Sequence, residues 1–241
     1  MSNLPKLDEL EDRLSTRLAE HTVLREIDKL TPNDFLRVLM QRRFVSLAFT
    51  IVNDLALDAF RDRKCKTIVR RILREEYPDP EGKVPSHRED LFSDLISLGA
   101  RKQHIIDSKP TDVTRDVISL SMGLVTNIKL GALSDIRLLT ALRFWGEVLT
   151  AVEYSAFWRR MSPIFSGKKS SNFYYPHLIE DGKLEPLHKS SSFRETHSDR
   201  MGRRLKSMIT GRGAQIAFAQ TEEDVIKIKL KFYDQFNSLI R

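Results

Sequence analysis

The chain has 241 residues and a net charge of +7, with 10 glycines, 9 prolines and one cysteine. This length can bury one sizeable core, and the scarcity of glycine, proline and alternating β-branched runs predicts one all-α domain over residues 1–241. The lone Cys65 excludes an intramolecular disulfide and a cysteine-rich metal site, and no apolar run reaches the roughly 20 residues of a membrane span, so we expect a cytoplasmic protein without a membrane partner.

Apolar residues at helical spacing predict a succession of amphipathic helices. The first covers residues 7–30, and the second, apolar over more than half of its circumference, continues from about 34 to 56. Further helical patterns follow at 65–76, from about 87, and at 113–129, 134–165, 173–181, 196–209 and from about 221. Together they predict a bundle of about seven or eight helices.

The first candidate ligands flank a loop rich in proline. Glu76 ends one predicted helix, residues 78–82 form a strong helix breaker, and His87 begins the next helix. The segment resembles the heme-oxygenase-like diiron family, in which an acidic residue closes a helix before a loop, a His and a Leu-Gly helix end, here Leu98-Gly99. The resemblance implies that Glu76 and His87 are iron ligands.

Two glutamates lie in the otherwise apolar pattern at 134–165, where an unpaired buried carboxylate would be costly. At least one of them should therefore have a partner, and a metal ion would serve. The family has a small residue two positions before its glutamate, which favours Glu153 through Ala151. The distance to the later His favours Glu147, which we keep as the alternative.

An aromatic pair precedes His177, and Asp181 follows four residues later. This spacing places both side chains on one helical face, where they could bind one cation together. The segment resembles the closing motif of the same family, His-x-x-x-Asp-x-x-His, but Leu184 stands where the last His belongs. We therefore expect the second iron to be held more weakly.

Two histidines could supply the missing imidazole. His188 lies on the face of His177 only if the helix continues past Pro186, which a helix interior disfavours. His197 begins a fresh helix that could return to the site, and we prefer it. The iron ligands implied by the resemblance are thus Glu76, His87, Glu153, His177, Asp181 and His197.

The resemblance implies an enzyme that holds two Fe(II) ions, uses O2 as co-substrate and oxidises a small substrate of amino acid or fatty acid type, bearing a carboxylate or an amine. Its partners would include an external electron donor, and a homodimer is compatible with such an enzyme. The excess of positive charge lies in residues 159–241. There a carboxylate clamp could come from Arg194, Arg200 or Arg203, because guanidinium binds carboxylate in a fork.

Three alternatives compete with this interpretation. The first is a cofactorless or thiaminase-like enzyme of the same fold. The thiaminase-like reaction needs a cysteine nucleophile in the pocket, and the position of Cys65 just after the second predicted helix argues against that role. Heme would need an axial ligand such as His21, which lies in a polar stretch. A helical module binding nucleic acid would use the basic residues of 159–241, but acidic residues interrupt them and no nucleic-acid motif is present, which argues against nucleic acid as a partner.

Overall fold

The computed structural model of the chain describes residues 3–78, 81, 83–165, 171–189 and 196–240. Within these residues the regular structure is helical, as the sequence predicts. The helices are α1 (Leu4–Ala19), α2 (Thr22–Arg25), α3 (Pro32–Leu47), α4 (Phe49–Ala59), α5 (Arg63–Glu76), α6 (His87–Ser97), α7 (Lys102–Asp107), α8 (Asp112–Thr126), α9 (Ser134–Leu142), α10 (Leu149–Met161), α11 (Tyr174–Glu180), α12 (His197–Met208) and α13 (Arg212–Asp234).

The predicted first, second and last helices differ from the observed ones. The first divides because His21 caps α2, accepting a hydrogen bond from the backbone N–H of Val23 at 3.3 Å. The second divides at Ala48 into α3 and α4. The last helix begins well before residue 221, because the buried face of α13 already includes Ala214 and Phe218.

A continuous helical rod forms the centre of the bundle. It consists of α9, a π-helical stretch at Arg143–Val148 and α10, and residues 138–150 are all buried. A helix that is buried all round belongs in the core, and π-helical stretches recur at functional sites. The rod contacts α1, α11, α12 and α13, so side chains that leave it on different sides meet different neighbours.

Among the described residues, no helix combines the length and the hydrophobicity that crossing a bilayer requires.

Candidate metal centre

Six acidic and histidine side chains form two clusters, and within each cluster the candidate ligand atoms lie within 4.8 Å of one another. Both clusters line one cavity of about 440 Å³. The first cluster contains Glu76, His87 and His177, and the second contains Glu147, Asp181 and His197. His177 and Asp181 lie four residues apart at α11, so this helix joins the two clusters.

The start of α6 places His87 opposite the end of α5. Ser86 caps the helix in a capping box with Glu89, which makes His87 the first helical residue. The Nδ1 atom of His87 is buried and lies 3.0 Å from Oε1 of Glu76. The angles between these two atoms are not those of a hydrogen bond. Burial lowers the pKa of His87, but the contact with Glu76 outweighs burial and raises the pKa above its ordinary value.

The start of α11 is anchored to α6 by Asp94. This buried carboxylate accepts hydrogen bonds from the backbone N–H groups of Phe173 at 3.0 Å and Tyr174 at 3.2 Å, and from the hydroxyl of Ser171 at 2.7 Å. Nδ1 of His177 lies 2.7 Å from the carbonyl oxygen of Phe173. The Nε2 atom of His177 is therefore left for another partner, in the arrangement usual for a metal-bound imidazole.

The start of α12 brings His197 to the second cluster. Thr196 caps this helix and accepts a hydrogen bond from the backbone of the third helical residue. Nδ1 of His197 lies 3.5 Å from Glu147 Oε2 and 3.6 Å from Asp181 Oδ1, and Nε2 lies 2.7 Å from Glu75 Oε2. One ring nitrogen thus faces the cluster while the other is held by an outer carboxylate, as is common for histidines that bind metals.

The two carboxylates of the second cluster favour a positive charge beside them. Burial, and after it the charge of Glu147, raises the pKa of Asp181 well above its ordinary value. Burial alone would lower the pKa of His197, but the contacts with Asp181 and Glu147 outweigh it and raise the pKa to about 11. In the first cluster, burial and the neighbouring His87 lower the pKa of His177 to about 4, so its imidazole is neutral at pH 7. The second cluster therefore attracts positive charge, and the first offers a neutral imidazole nitrogen.

Glu153, the ligand preferred from the sequence, belongs to neither cluster, and Glu147 takes that place. Glu153 is fully buried and its Oε2 accepts hydrogen bonds from Arg42 Nε at 3.0 Å, Arg42 Nη2 at 2.7 Å and Lys229 Nζ at 2.9 Å. Glu147 and Glu153 leave the central rod on different sides. The expected partner of a buried glutamate is therefore an ion pair for Glu153, whereas Glu147 lies in a cluster of candidate metal ligands.

The two candidates for the last imidazole are separated by the structure. His197 joins the second cluster, whereas His188 lies with Asp8, whose carboxylate oxygen is 2.8 Å from Nδ1 of His188. Asp8 also accepts a hydrogen bond from the backbone N–H of Leu187 at 2.5 Å. Because α11 ends at Glu180, the continuous helix that would have brought His188 to the cavity does not form.

The two described arginines among those expected to bind a substrate carboxylate do not line the cavity. Arg194 lies outside the described residues, and among those described, neither Arg200 nor Arg203 contributes to the wall. The buried cations that line it are Arg42 of α3 and Lys229 of α13, and the exposed Arg88 of α6 lines it as well. The clamp assigned to the basic end of the chain is therefore not supported.

Sequence reasoning missed Arg42 and Lys229, although each carried a signal. Lys229 lies at helical spacing from Ile226 and Tyr233, which places a charge on a buried apolar face. Arg42 lies in the predicted second helix, which is apolar over most of its circumference. A charge at such a position needs a buried partner, which is the reasoning that drew attention to the two glutamates.

Aromatic side chains form much of the remaining wall. Phe49 stacks on Trp145 with ring centroids 6.2 Å apart, and Tyr154 packs edge-on to Phe173 at 5.8 Å. Burial raises the pKa of Tyr154 to about 12, so its hydroxyl stays protonated, and it lies 3.1 Å from Oγ of Ser46. This wall can exclude water from reacting groups and bind an apolar substrate body.

No protein-family model matches the sequence, and no curated protein is similar enough in sequence to match it. Several solved structures are similar in fold. One, from Shewanella denitrificans, is a domain of unknown function with a heme oxygenase-like fold, with a TM-score of 0.69 and 13% identity over 98% of this chain and 92% of that one. A CADD-like protein of unknown function from Nostoc punctiforme has a TM-score of 0.66 and 12% identity over 98% and 96%. A TenA homologue from P. horikoshii has a TM-score of 0.61 and 13% identity over 99% and 100%. The chain therefore has the expected all-α, heme-oxygenase-like fold, and at these identities the likeness shows the fold alone.

Proposed function

We propose that this protein is a non-heme diiron oxidase or oxygenase that activates O2 and oxidises a small substrate bearing a carboxylate or an amine. The observation that best supports the proposal is that two clusters of carboxylates and imidazoles line one cavity. The proposed ligands are Glu76, His87 and His177 in the first cluster and Glu147, Asp181 and His197 in the second.

The donor atoms fit iron. Carboxylate oxygens and imidazole nitrogens together suit Fe(II), and three protein ligands for each ion leave positions open for O2 and substrate. Among the residues that the structure describes, Oε1 of Glu147 and Nδ1 of His87 are buried and have no hydrogen-bond partner. Such atoms are rare in folded proteins and are expected where an ion is bound. Two ferrous ions in this site would supply two of the four electrons that full reduction of O2 requires, and the substrate or the external electron donor would supply the other two.

The surrounding residues fix the proposed ligands. The carbonyl of Phe173 holds Nδ1 of His177, and the carboxylate of Glu75 holds Nε2 of His197. Each contact selects one tautomer and one ring orientation, which leaves the other nitrogen facing the cluster. The aromatic wall excludes water from the substrate. A small-molecule substrate and an external electron donor are the partners that the proposal includes.

The position of the only cysteine argues against a thiaminase-like reaction. Cys65 is buried, its Sγ lies 3.8 Å from Sδ of Met208, and it does not line the cavity. Burial raises the pKa of its thiol to about 12, so the reactive thiolate would be scarce at neutral pH. His21, the candidate heme ligand, lies 3.2 Å from Asp234 and is likewise outside the cavity wall.

The proposal is tested by metal analysis of the protein after reconstitution with Fe(II) in the absence of air. We expect two equivalents of iron per chain, and a lower value for His87→Ala and for His177→Ala because each variant removes a proposed ligand of the first ion. Substitution of the exposed His104 by alanine is the matched control and should leave the iron content unchanged. Circular dichroism would verify that each variant keeps its helices.

Absence of bound iron in the unaltered chain would contradict the proposal. An iron content that is the same in His87→Ala, His177→Ala and the unaltered chain would contradict the ligand assignment.

A further inference from the structure

Two buried cations line the cavity, and one buried carboxylate behind them contacts both. The side chains of Arg42 and Lys229 are 4% and 2% exposed, and both donate hydrogen bonds to Oε2 of Glu153. Among the residues that the structure describes, Glu153 is the carboxylate in contact with either cation. We call Arg42 and Lys229 the cation pair. The group of three carries one positive charge in excess.

An excess buried charge is costly unless something compensates it. Arg42 alone already gives Glu153 two hydrogen bonds, so Lys229 is not needed to neutralise that carboxylate. Burial lowers the pKa of Lys229 to about 8, so most of the lysine keeps its charge at neutral pH. Both cations line the cavity, so an anion that enters the cavity can reach them.

We propose that Arg42 and Lys229 bind the carboxylate group of the substrate. The inference deepens the proposed function and rests on it to the extent that the ligand is the substrate of the diiron site. Thr150 holds the two cations together, because its hydroxyl accepts hydrogen bonds from Arg42 Nη2 and Lys229 Nζ, both at 3.4 Å, and donates to the carbonyl oxygen of Trp145 at 3.3 Å. Guanidinium and ammonium groups together form a set of donors suited to carboxylate oxygens.

The position of the cation pair limits which carboxylic acids could be the substrate. Thr150 follows the proposed ligand Glu147 by three residues on the same rod, and both side chains line the cavity. A substrate whose carboxylate contacts the cation pair would thus present atoms only a few bonds from that carboxylate to the metal site. Apolar residues such as Val45, Leu47 and Leu91 line other parts of the cavity. The ligand class is therefore a small carboxylic acid with an apolar body that reacts near its acid group.

The test measures binding to the full chain without metal, so that a metal ion cannot bind the probe itself. The probes are hexanoate, its neutral analogue hexanamide and inorganic phosphate, titrated at neutral pH by calorimetry. We expect hexanoate to bind about tenfold or more tightly than hexanamide, because hydrogen bonds to a charged group are stronger than those to a neutral one. Phosphate should bind more weakly than hexanoate, because it has no apolar body.

Substitutions of Lys229 test whether the cation pair carries this preference. Lys229→Met leaves Arg42 and Glu153 as a neutral pair and should weaken hexanoate binding by about tenfold or more while leaving hexanamide unchanged. Lys229→Arg keeps the charge and should keep the preference. Lys231→Met is the matched control, because Lys231 lies on the same helix, is partly exposed and pairs with Asp116 outside the cavity.

Equal affinities for hexanoate and hexanamide, no binding of hexanoate, or tighter binding of phosphate would each overturn the inference. So would an unchanged preference for hexanoate in Lys229→Met with a native circular dichroism spectrum. If Lys229→Met does not fold, the comparison of hexanoate with hexanamide in the unaltered chain still tests whether the cavity prefers a carboxylate. The outcome is separable from the proposed function, since a chain that prefers hexanoate but binds no iron would keep the anion site and lose the diiron proposal. A chain that binds two irons but not hexanoate would support the diiron proposal and contradict the anion site.

Discussion

Replacement of Glu153 by glutamine should destabilise the fold and leave iron binding intact. Three charge-assisted hydrogen bonds end on Oε2 of Glu153, and its side chain and those of Arg42 and Lys229 are at most 4% exposed. Removing one partner of such a buried group typically costs about 3–5 kcal/mol, because the remaining charges stay buried without compensation. For a chain of this size that cost corresponds to a fall in Tm of roughly 6–20 °C.

Glu147→Gln is the matched variant, since it makes the same chemical change six residues earlier on the same rod. It removes one partner of His197 but also relieves the repulsion between Glu147 and Asp181, so we expect a stability change of about 1 kcal/mol or less. Glu147→Gln should instead weaken metal binding, and the iron content should drop toward one equivalent per chain.

Urea unfolding of the metal-free proteins and anaerobic iron titration measure the two effects separately. The assignment of Glu153 to an ion pair and of Glu147 to iron binding would be contradicted by a specific pair of results. These are a Glu153→Gln variant that loses iron at unchanged stability and a Glu147→Gln variant that keeps both irons. Loss of iron from both variants would show that the two carboxylates are not separated as the structure has them.

Three further predictions follow from other parts of the molecule. His197→Ala should lower the iron content toward one equivalent and abolish turnover, whereas His188→Ala should leave the iron content near normal, both measured by metal analysis. Burial, with a neighbouring carboxylate second, raises the pKa of Glu222 well above its ordinary value, so this side chain favours the fold below its unfolded pKa and loses that contribution as the pH rises. Glu222→Gln should therefore raise Tm more at about pH 8 than at about pH 5 in thermal unfolding. Gly146→Ala would place a methyl group 2.7 Å from Cε2 of Phe49, so the ring must move, and urea unfolding should show a loss of about 1–3 kcal/mol.

Each of these predictions can fail in its own way. Normal iron content in His197→Ala with loss in His188→Ala would move the last ligand to His188. A benefit of Glu222→Gln that does not grow with pH would mean that the glutamate is not held in its neutral form. A Gly146→Ala variant as stable as the unaltered chain would show that Phe49 has free space beside it.

The candidate ligands that lie at helix ends could be predicted from the sequence, because their placement is set locally. Glu76 and His87 are separated by a loop with a clear breaker and a capping serine, and both observed helix ends fall where the pattern places them. His177 and Asp181 share a face through a four-residue spacing that holds in any helix. The structure brings these four side chains to one cavity, and their role as iron ligands remains a prediction.

The choice between Glu147 and Glu153 could not be made from the sequence. The rod is buried on all sides around Glu147, so hydrophobic periodicity does not indicate which side chain faces which neighbouring helix. In addition, the π-helical stretch at Arg143–Val148 changes the angle between the two side chains from that of a regular α-helix. The partners of Glu153 are Arg42 and Lys229, which lie 111 and 76 residues away in the sequence. Contacts at such separations depend on how the helices pack, which no local pattern records.

The position of a substrate clamp could not be found from the sequence for a related reason. The excess of basic residues at 159–241 suggested Arg194, Arg200 or Arg203, but a surplus of charge in a segment does not say which side chains face the cavity. Arg42 and Lys229 come from α3 and α13, which meet only in the folded bundle. A buried cation on an apolar helical face was the better indicator, since burial without a partner is costly wherever it occurs.

We propose that the two clusters hold two iron ions that react together with O2. Mössbauer spectra of protein loaded with isotopically enriched Fe(II), recorded before and after exposure to O2, would distinguish this arrangement from a single iron site. We expect two ferrous ions per chain that are both oxidised on exposure, giving a magnetically coupled diferric pair. A single uncoupled iron site, or two ferrous ions that do not react with O2 in the presence or absence of a carboxylic acid substrate, would contradict the claim.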